Sequence, residues 1–257
     1  MKALQGVTVL NTRATHQAAS LTEMIEKRGG ISIEIPLIAI KEPENFLERN
    51  RQLQQVMHCD WLIFTSANSF EFTMNAMIAG NMPFREIIMQ RKIAVVGSKT
   101  KAAVEKKGFN VDLYPRDFDA EHLAEKLIDH TSKGETFFYP RSNLSRKVLV
   151  DKLKLSNRHV SEMVAYETTI NKQFQEELNE IIYKKSVDVV ILTSPSAVCS
   201  FFEQITSENK VYVKETLTIA VIGRVTEEAL SRYDVSNILV PETYTLEAVL
   251  ALIEKNT

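Results

Sequence analysis

The chain repeats itself once, at an offset of about 128 residues, with strand ends and turn residues of the same type in both copies. Asp60-Trp61-Leu62-Ile63-Phe64-Thr65-Ser66 returns as Asp188-Val189-Val190-Ile191-Leu192-Thr193-Ser194. Farther on, Ile93-Ala94-Val95-Val96-Gly97-Ser98-Lys99-Thr100 returns as Ile219-Ala220-Val221-Ile222-Gly223-Arg224-Val225-Thr226, and Leu113-Tyr114-Pro115 as Leu239-Val240-Pro241. The strand ending at Arg13 matches the one ending at Arg141. A duplication across nearly all of the 257 residues predicts two similar domains, each long enough to bury its own core. Any cleft between them would then be lined by paired copies of the same loops.

Short β-branched runs alternate with helical patterns, the mark of βαβ units around parallel sheets. The first copy predicts strands at 7–11, 31–36, 61–65, 93–96 and 111–114, with helices near 17–28, 46–57, 68–79, 100–107 and 120–130. The second predicts strands at 136–139, 159–166, 187–192, 217–222 and 237–240, with helices near 145–154, 173–184, 196–205, 226–233 and 245–254. Five strands and five helices per copy point to a doubly wound, flavodoxin-like parallel sheet in each. Periodicity alone allows a domain cut between the copies, near Ser132-Lys133-Gly134.

In open parallel sheets ligands bind at the carboxyl ends of the strands, where loops feed helix N-termini, and the repeated residues fall there. Gly97 and Gly223 end strands and let a ligand or a tight turn approach the backbone. Thr100 and Thr226 follow at helix starts, as N-cap hydroxyls or as ligand contacts. The turns Thr65-Ser66-Ala67-Asn68 and Thr193-Ser194-Pro195-Ser196 offer exposed N–H groups and a positive dipole end to a carboxylate or phosphate. Arg13, Lys99, Arg141 and Arg224 stand in these same loops, as solvated charges or as partners for an anion with several negative groups.

Much is excluded. With 31 basic and 33 acidic residues the chain has no excess of charge to favour nucleic acid or a membrane surface, and no apolar run nears a membrane span. The N-terminal apolar strand is too short for a signal-peptide core, so a cytoplasmic chain is expected. Cys59 and Cys199 form no CxxC, and His16, His58, His122, His130 and His159 show no ligand spacing, so neither a disulfide nor a metal is expected. GxxxxGK[ST], GxGxxG and GxSxG are absent, which disfavours nucleotide chemistry and a serine nucleophile. An enzyme built this way would position a reactive substrate more than attack one.

Five motifs in order resemble the uroporphyrinogen-III synthase family, of a bacterial type: Phe64-Thr65-Ser66-Ala67-Asn68, Ala94-Val95-Val96-Gly97-x-x-Thr100, Val164-Ala165-Tyr166-Glu167-Thr168, Leu192-Thr193-Ser194-Pro195-Ser196-Ala197 and Ala220-Val221-Ile222-Gly223-x-x-Thr226. The resemblance implies two similar α/β domains joined by a two-stranded hinge, with the active cleft between them. It places 1–37 with 169–257 in one domain, 42–165 in the other, and 38–41 and 166–168 in the hinge. It further implies a hydro-lyase that needs no cofactor and no metal. Its substrate is the linear tetrapyrrole hydroxymethylbilane, which loses water and closes with ring D inverted, through an azafulvene and a spirocyclic pyrrolenine, to uroporphyrinogen III of haem biosynthesis.

By carry-over, Tyr166 is the expected acid for hydroxyl loss, since a phenol stays protonated at neutral pH. Arg13, Ser66, Asn68, Gly97, Lys99, Thr100, Arg141, Ser194, Ser196, Gly223, Arg224 and Thr226 are the expected substrate contacts, meeting the eight carboxylates that the resemblance implies. A monomer is expected, with no nucleic-acid or membrane partner. The rival from another class is a two-domain, hinge-closing binding protein or sensor for a small acidic metabolite.

Overall fold

The structure, a computed structural model, describes residues 3–116 and 119–256. Met1 and Lys2, where the segment judged too short for a signal sequence begins, lie outside the described residues. From the N-terminus, β1 (Thr8–Asn11), α1 (Thr15–Lys27) and β2 (Ile31–Glu34) precede β3 (Ile38–Lys41), α2 (Phe46–Leu53), β4 (Trp61–Phe64), α3 (Ala67–Ala79) and α4 (Phe84–Met89). Next come β5 (Lys92–Val95), α5 (Ser98–Lys106), α6 (Ala120–His130), β6 (Thr136–Ser142), α7 (Val148–Leu155) and the long β7 (His159–Ile170). The chain ends with α8 (Gln175–Tyr183), β8 (Val189–Leu192), α9 (Pro195–Gln204), α10 (Ser207–Glu215), β9 (Thr218–Val221), α11 (Arg224–Leu230), β10 (Ile238–Leu239) and α12 (Leu246–Asn256).

Two compact units result, residues 1–40 with 169–257, and residues 41–168. The boundaries fall inside β3 and β7, and the turn at 132–134 lies within the second unit. In the first unit the sheet runs β10-β9-β8-β1-β2, with every neighbouring pair parallel. The other sheet runs β3-β7-β6-β4-β5, and β7, β6, β4 and β5 are parallel in turn. Counted by repeat, the first sheet has the flavodoxin order 2-1-3-4-5, and the second runs 2-1-3-4 with β3 added beside its strand 2. Strands 1 and 2 of each sheet come from one copy and strands 3 and 4 from the other, with strand 5 added in the first sheet alone, so neither copy builds a sheet alone.

One residue type secures that exchange twice. Asp188, ahead of β8, accepts the N–H of Thr8 at 2.8 Å through its carboxylate and donates its own N–H to the Thr8 carbonyl at 2.9 Å. Asp60, ahead of β4, accepts the Thr136 N–H at 2.8 Å and the Thr136 hydroxyl at 2.9 Å, and donates its N–H to the Thr136 carbonyl at 3.0 Å. The aspartate that opens each repeated strand thus clasps strand 1 of the other copy.

Apolar residues of the first sheet go both ways. Val190, Leu192, Ile219 and Val221 pack with Leu178, Ile182, Val198 and Phe201 of α8 and α9. Their neighbours Val189, Ile191 and Ala220 pack on the other face with Leu21 and Ile25 of α1 and Val249 and Ile253 of α12. Burial on both faces is why these strands read as continuous hydrophobic runs. In the second unit Trp61, Ile63, Ala94, Phe137 and Tyr139 pack under α6 and α7.

The sequence expectation of a strand at 111–114 is corrected. Only Leu113 forms a bridge there, to Ala94, and Pro115 has no N–H with which to extend it. Helices α4 and α10 are additional; α10 is announced only by Thr206, whose hydroxyl accepts the Asn209 N–H. The helix expected over 46–57 ends at Leu53 and tightens into a 3₁₀ turn, Gln54–His58. Among the described residues no helix is long and apolar enough to cross a membrane.

The clasp is testable. Hydrogen bonds from Thr136 hold the Asp60 carboxyl below its usual range. Its stabilisation is therefore present above the unfolded-state value and is lost as pH falls through the lower folded one. Asp60→Ala should cost about 1 kcal/mol at neutral pH, an exposed carboxylate being partly answered by water, with the gap to the parent narrowing as acid protonates the carboxyl. Denaturant titration at neutral and acid pH reads it, and a gap that persists in acid would assign the loss to packing.

Candidate active site

In the second unit the carboxyl ends of three adjacent strands, β6, β4 and β5, deliver Arg141, Ser66 and Gly97 to one edge. The strands β6 and β4 flank the point where the order reverses, where such sheets bind ligands. Ser66 is the N-cap of α3, in extended conformation, and its Oγ accepts the Ser69 N–H at 3.0 Å. The same Oγ lies 3.1 Å from the hydroxyl of Tyr166 on β7. Beside it, Thr65 Oγ1 is 3.3 Å from the Tyr139 hydroxyl. Tyr166 is only 8% exposed and stacks on Phe72 of α3, with ring centroids 5.5 Å apart. Burial pushes its phenol above the ordinary value, and hydrogen bonds from Ser66 and Ser142 pull the other way. Asn68 stands half-buried in the first turn of α3.

The cations proposed from sequence are not equivalent. Arg141 is committed inside the protein: Nε donates to Glu162 Oε2 at 2.8 Å and Nη1 to the Ser142 carbonyl at 2.9 Å. Lys99, in the first turn of α5, is exposed. In the first unit Arg13 follows β1 and has no carboxylate partner among the described residues. Its Nη1 donates to the Gln17 carbonyl at 3.1 Å and to Ser20 Oγ at 3.3 Å, and Nη2 to Gln17 Oε1 at 3.1 Å. Its Nε is buried without a partner, and burial lowers the guanidinium pKa. Arg224 is exposed in the first turn of α11.

Also in the first unit, β8 and β9 present the second pair of loops. Ser194 caps α9 through the Ala197 N–H at 3.2 Å and lies 3.0 Å from Ser196 Oγ. The N-caps of α5 and α11 are Gly97 and Gly223, neither with a side-chain cap. Thr100 and Thr226 are therefore third helical residues, 5% and 3% exposed. The N-cap reading of both is corrected, and neither hydroxyl bonds to the protein among the described residues. Gly223 is extended, and what excludes a side chain there is Tyr244: a Cβ would sit 2.8 Å from its Cδ1.

Sequence reasoning missed Phe72, Tyr139 and Tyr244, because aromatic residues in a helix, a strand and a loop carry no signal until their neighbours are known. Two surface concavities, at 154–161 and around His58, Asp60, Lys92 and Glu135, contain none of the proposed residues and lie toward the amino ends of the second unit's strands. Among the described residues no group of three or more His, Cys, Asp or Glu side chains could hold a metal ion.

A family model described as uroporphyrinogen-III synthase HemD matches residues 19–251. The chain belongs to the uroporphyrinogen-III synthase family. A uroporphyrinogen-III synthase of Synechococcus elongatus is 27% identical, covering 98% of this chain and 96% of the relative. A putative uroporphyrinogen-III synthase of Methanothermobacter thermautotrophicus is 29% identical, covering 93% and 94%. Among solved structures, a mutant uroporphyrinogen III synthase of Thermus thermophilus aligns with a TM-score of 0.70 at 17% identity, over 97% of this chain and 98% of that one. The uroporphyrinogen-III synthetase of Helicobacter pylori aligns with a TM-score of 0.66 at 16% identity, over 98% and 99%. At such identities the structural likeness speaks for the fold, and the family match speaks for the chemistry.

In this family member the cover of Tyr244 over Gly223 is open to a direct check. Gly223→Ala should destabilise the chain by about 1–3 kcal/mol, because the added methyl displaces a ring at its root. Tyr244→Ala should be mild, since that ring is 53% exposed. In the double variant the Gly223→Ala cost should largely vanish; additive losses in thermal melts would mean that something other than the ring requires the glycine.

Proposed function

We propose that this chain performs its family's reaction, closing hydroxymethylbilane to uroporphyrinogen III with inversion of ring D and loss of water, and that Tyr166 is the acid for hydroxyl departure. Family membership across 19–251 supports the reaction, and the 3.1 Å pair of Ser66 Oγ and Tyr166 hydroxyl supports the role. The proposal includes a cytoplasmic monomer acting on a small molecule without metal or cofactor.

The pyrrole nitrogen pushes electron density toward the hydroxymethyl carbon, and the C–O bond breaks with its electron pair on oxygen. That oxygen takes the Tyr166 proton and leaves as water. Ser66 already accepts the Ser69 N–H, so its own proton is free to point at the Tyr166 oxygen and stabilise the phenolate. The N-terminus of α3 adds a positive dipole end on the same side. Reprotonation follows when ring closure releases a proton. The Ser66 and Gly97 turns of one unit, with Asn68 and Thr100, and the Ser194 and Gly223 turns of the other, with Ser196 and Thr226, are proposed to hold carboxylates, which is a contribution of orientation.

Tyr166→Phe should fold normally, since the ring keeps its stacking on Phe72, while uroporphyrinogen III forms about 10²–10⁴-fold more slowly. The uninverted isomer should rise as uncatalysed closure takes over. Because the phenol is raised, it should contribute no ionisation to the rate below about pH 10, losing its acid form only above. Initial rate and isomer ratio, measured together, test this; a variant equal to its parent in both removes Tyr166 from the chemistry. Substrate that binds and is never turned over would instead favour the binding-protein reading.

The two arginines should separate as well. Arg13→Met should raise KM about tenfold, whereas Arg141→Met, whose charge already answers Glu162, should raise it about threefold or less. Equal effects would contradict the ranking.

A further inference from the structure

The strand that carries Tyr166 does not run in regular register. Arg141 pairs with Val164, but Ser142 pairs with Tyr166, leaving Ala165 as an extra residue. A bulge of this kind reverses the alternation of faces. In regular register Tyr166 would share the face of Glu162 and Val164; the extra residue turns it to the opposite one. The hydroxyl's contact with Ser66 therefore depends on whatever holds this bulge.

The residue that holds it is Asn143, directly after β6. Its backbone N–H donates to the Tyr166 carbonyl at 3.2 Å. Its side-chain oxygen accepts the Thr168 N–H at 2.9 Å, and its side-chain nitrogen donates to the Thr168 carbonyl at 3.3 Å. The carboxamide thus imitates a peptide unit and continues the ladder past the irregularity. Ser142 orients that amide, its Oγ donating to Asn143 Oδ1 at 3.0 Å while accepting the Leu144 N–H at 3.2 Å. Three backbone groups of residues 166–168 are fixed from this one position.

We infer that Asn143 is a positioning residue that aims the Tyr166 hydroxyl by clamping the β7 bulge. The inference rests on the reading of Tyr166 as the acid. A fold held by two buried sheets does not need an exposed asparagine at its rim, so the consequence of losing it should appear in turnover more than in folding. Misplacement of an acid by a fraction of an ångström lowers the rate without preventing substrate capture.

The experiment is a double-variant cycle with Asn143→Ala, Asn143→Asp and Tyr166→Phe in the full chain, following kcat, KM and the ratio of the III and I isomers. Asn143→Ala should lower kcat about tenfold and shift product toward isomer I, with KM changed less than about twofold. Asn143→Asp keeps the acceptor for the Thr168 N–H, so its kcat should fall between the two, and its added charge should show in KM. In the Tyr166→Phe background Asn143→Ala should lower kcat no further. Undiminished kcat in both Asn143 variants, or an equal drop in both backgrounds, overturns the inference and leaves Tyr166 as acid standing. If Tyr166→Phe itself turns over like the parent, both readings fall. Should the alanine variant not fold, the aspartate variant carries the same cycle.

Discussion

Everything in this molecule depends on the pairing of strands that the duplication places far apart. In the first unit Val9–Asn11 lie against Val189–Ile191; in the second, Trp61 and Leu62 lie against Phe137 and Phe138. Each junction carries the same clasp, Asp188 on Thr8 and Asp60 on Thr136, and the partners keep the repeat's offset. A strand end contributes unpaired N–H groups, and a carboxylate there satisfies one while fixing register at the first residue. The junctions differ in what they ask of the chain. The second unit is contiguous, whereas the first joins segments separated by residues 41–168, about half the chain, with the larger loop-closure entropy that such separation brings.

The clasp also explains where the proposed ligand loops are. Because the central pair in each sheet is strand 1 of one copy beside strand 3 of the other, the reversal of strand order falls between them. The loops after β6 and β4, and after β1 and β8, open at that reversal. Arg141 and Ser66, and Arg13 and Ser194, are thereby brought to corresponding places from well-separated parts of the sequence. A repeat visible in the chain became two sheets only through reciprocal exchange.

Much of this was legible. Turn residues and apolar runs located the strands to within a few residues, since strands buried on both faces leave an unbroken signal. The segment 111–114 shows the limit, for its apolar character is real but one residue docks it. Asp112 and Leu113 both donate to the Ile93 carbonyl, and the proline then ends the pairing. Thr100 and Thr226 looked like caps because spacing from a strand cannot separate the N-cap from the third helical position; the glycines took the first role. Arg13 and Arg141 matched in sequence and differ in structure because Glu162 sits on the neighbouring strand, 21 residues away. The resemblance to a family pointed at Tyr166, but its partner Ser66 lies 100 residues off and its bulge leaves no trace in composition.

The duplicated serines show where the two copies diverge in structure. Ser66 and Ser194 cap equivalent helices through equivalent bonds. The second partner of Ser66 is a buried phenol; the second partner of Ser194 is the hydroxyl of Ser196. Counting back by the repeat, Tyr166 answers to Ile38, so the first unit has no acid to offer there. A reaction that expels one hydroxyl needs one proton donor and many anchors. A second buried phenol at the matching turn would add desolvation without a leaving group to serve. The asymmetry therefore falls where the proposed chemistry is single, while the anchoring turns, for which the substrate has many carboxylates, stay double.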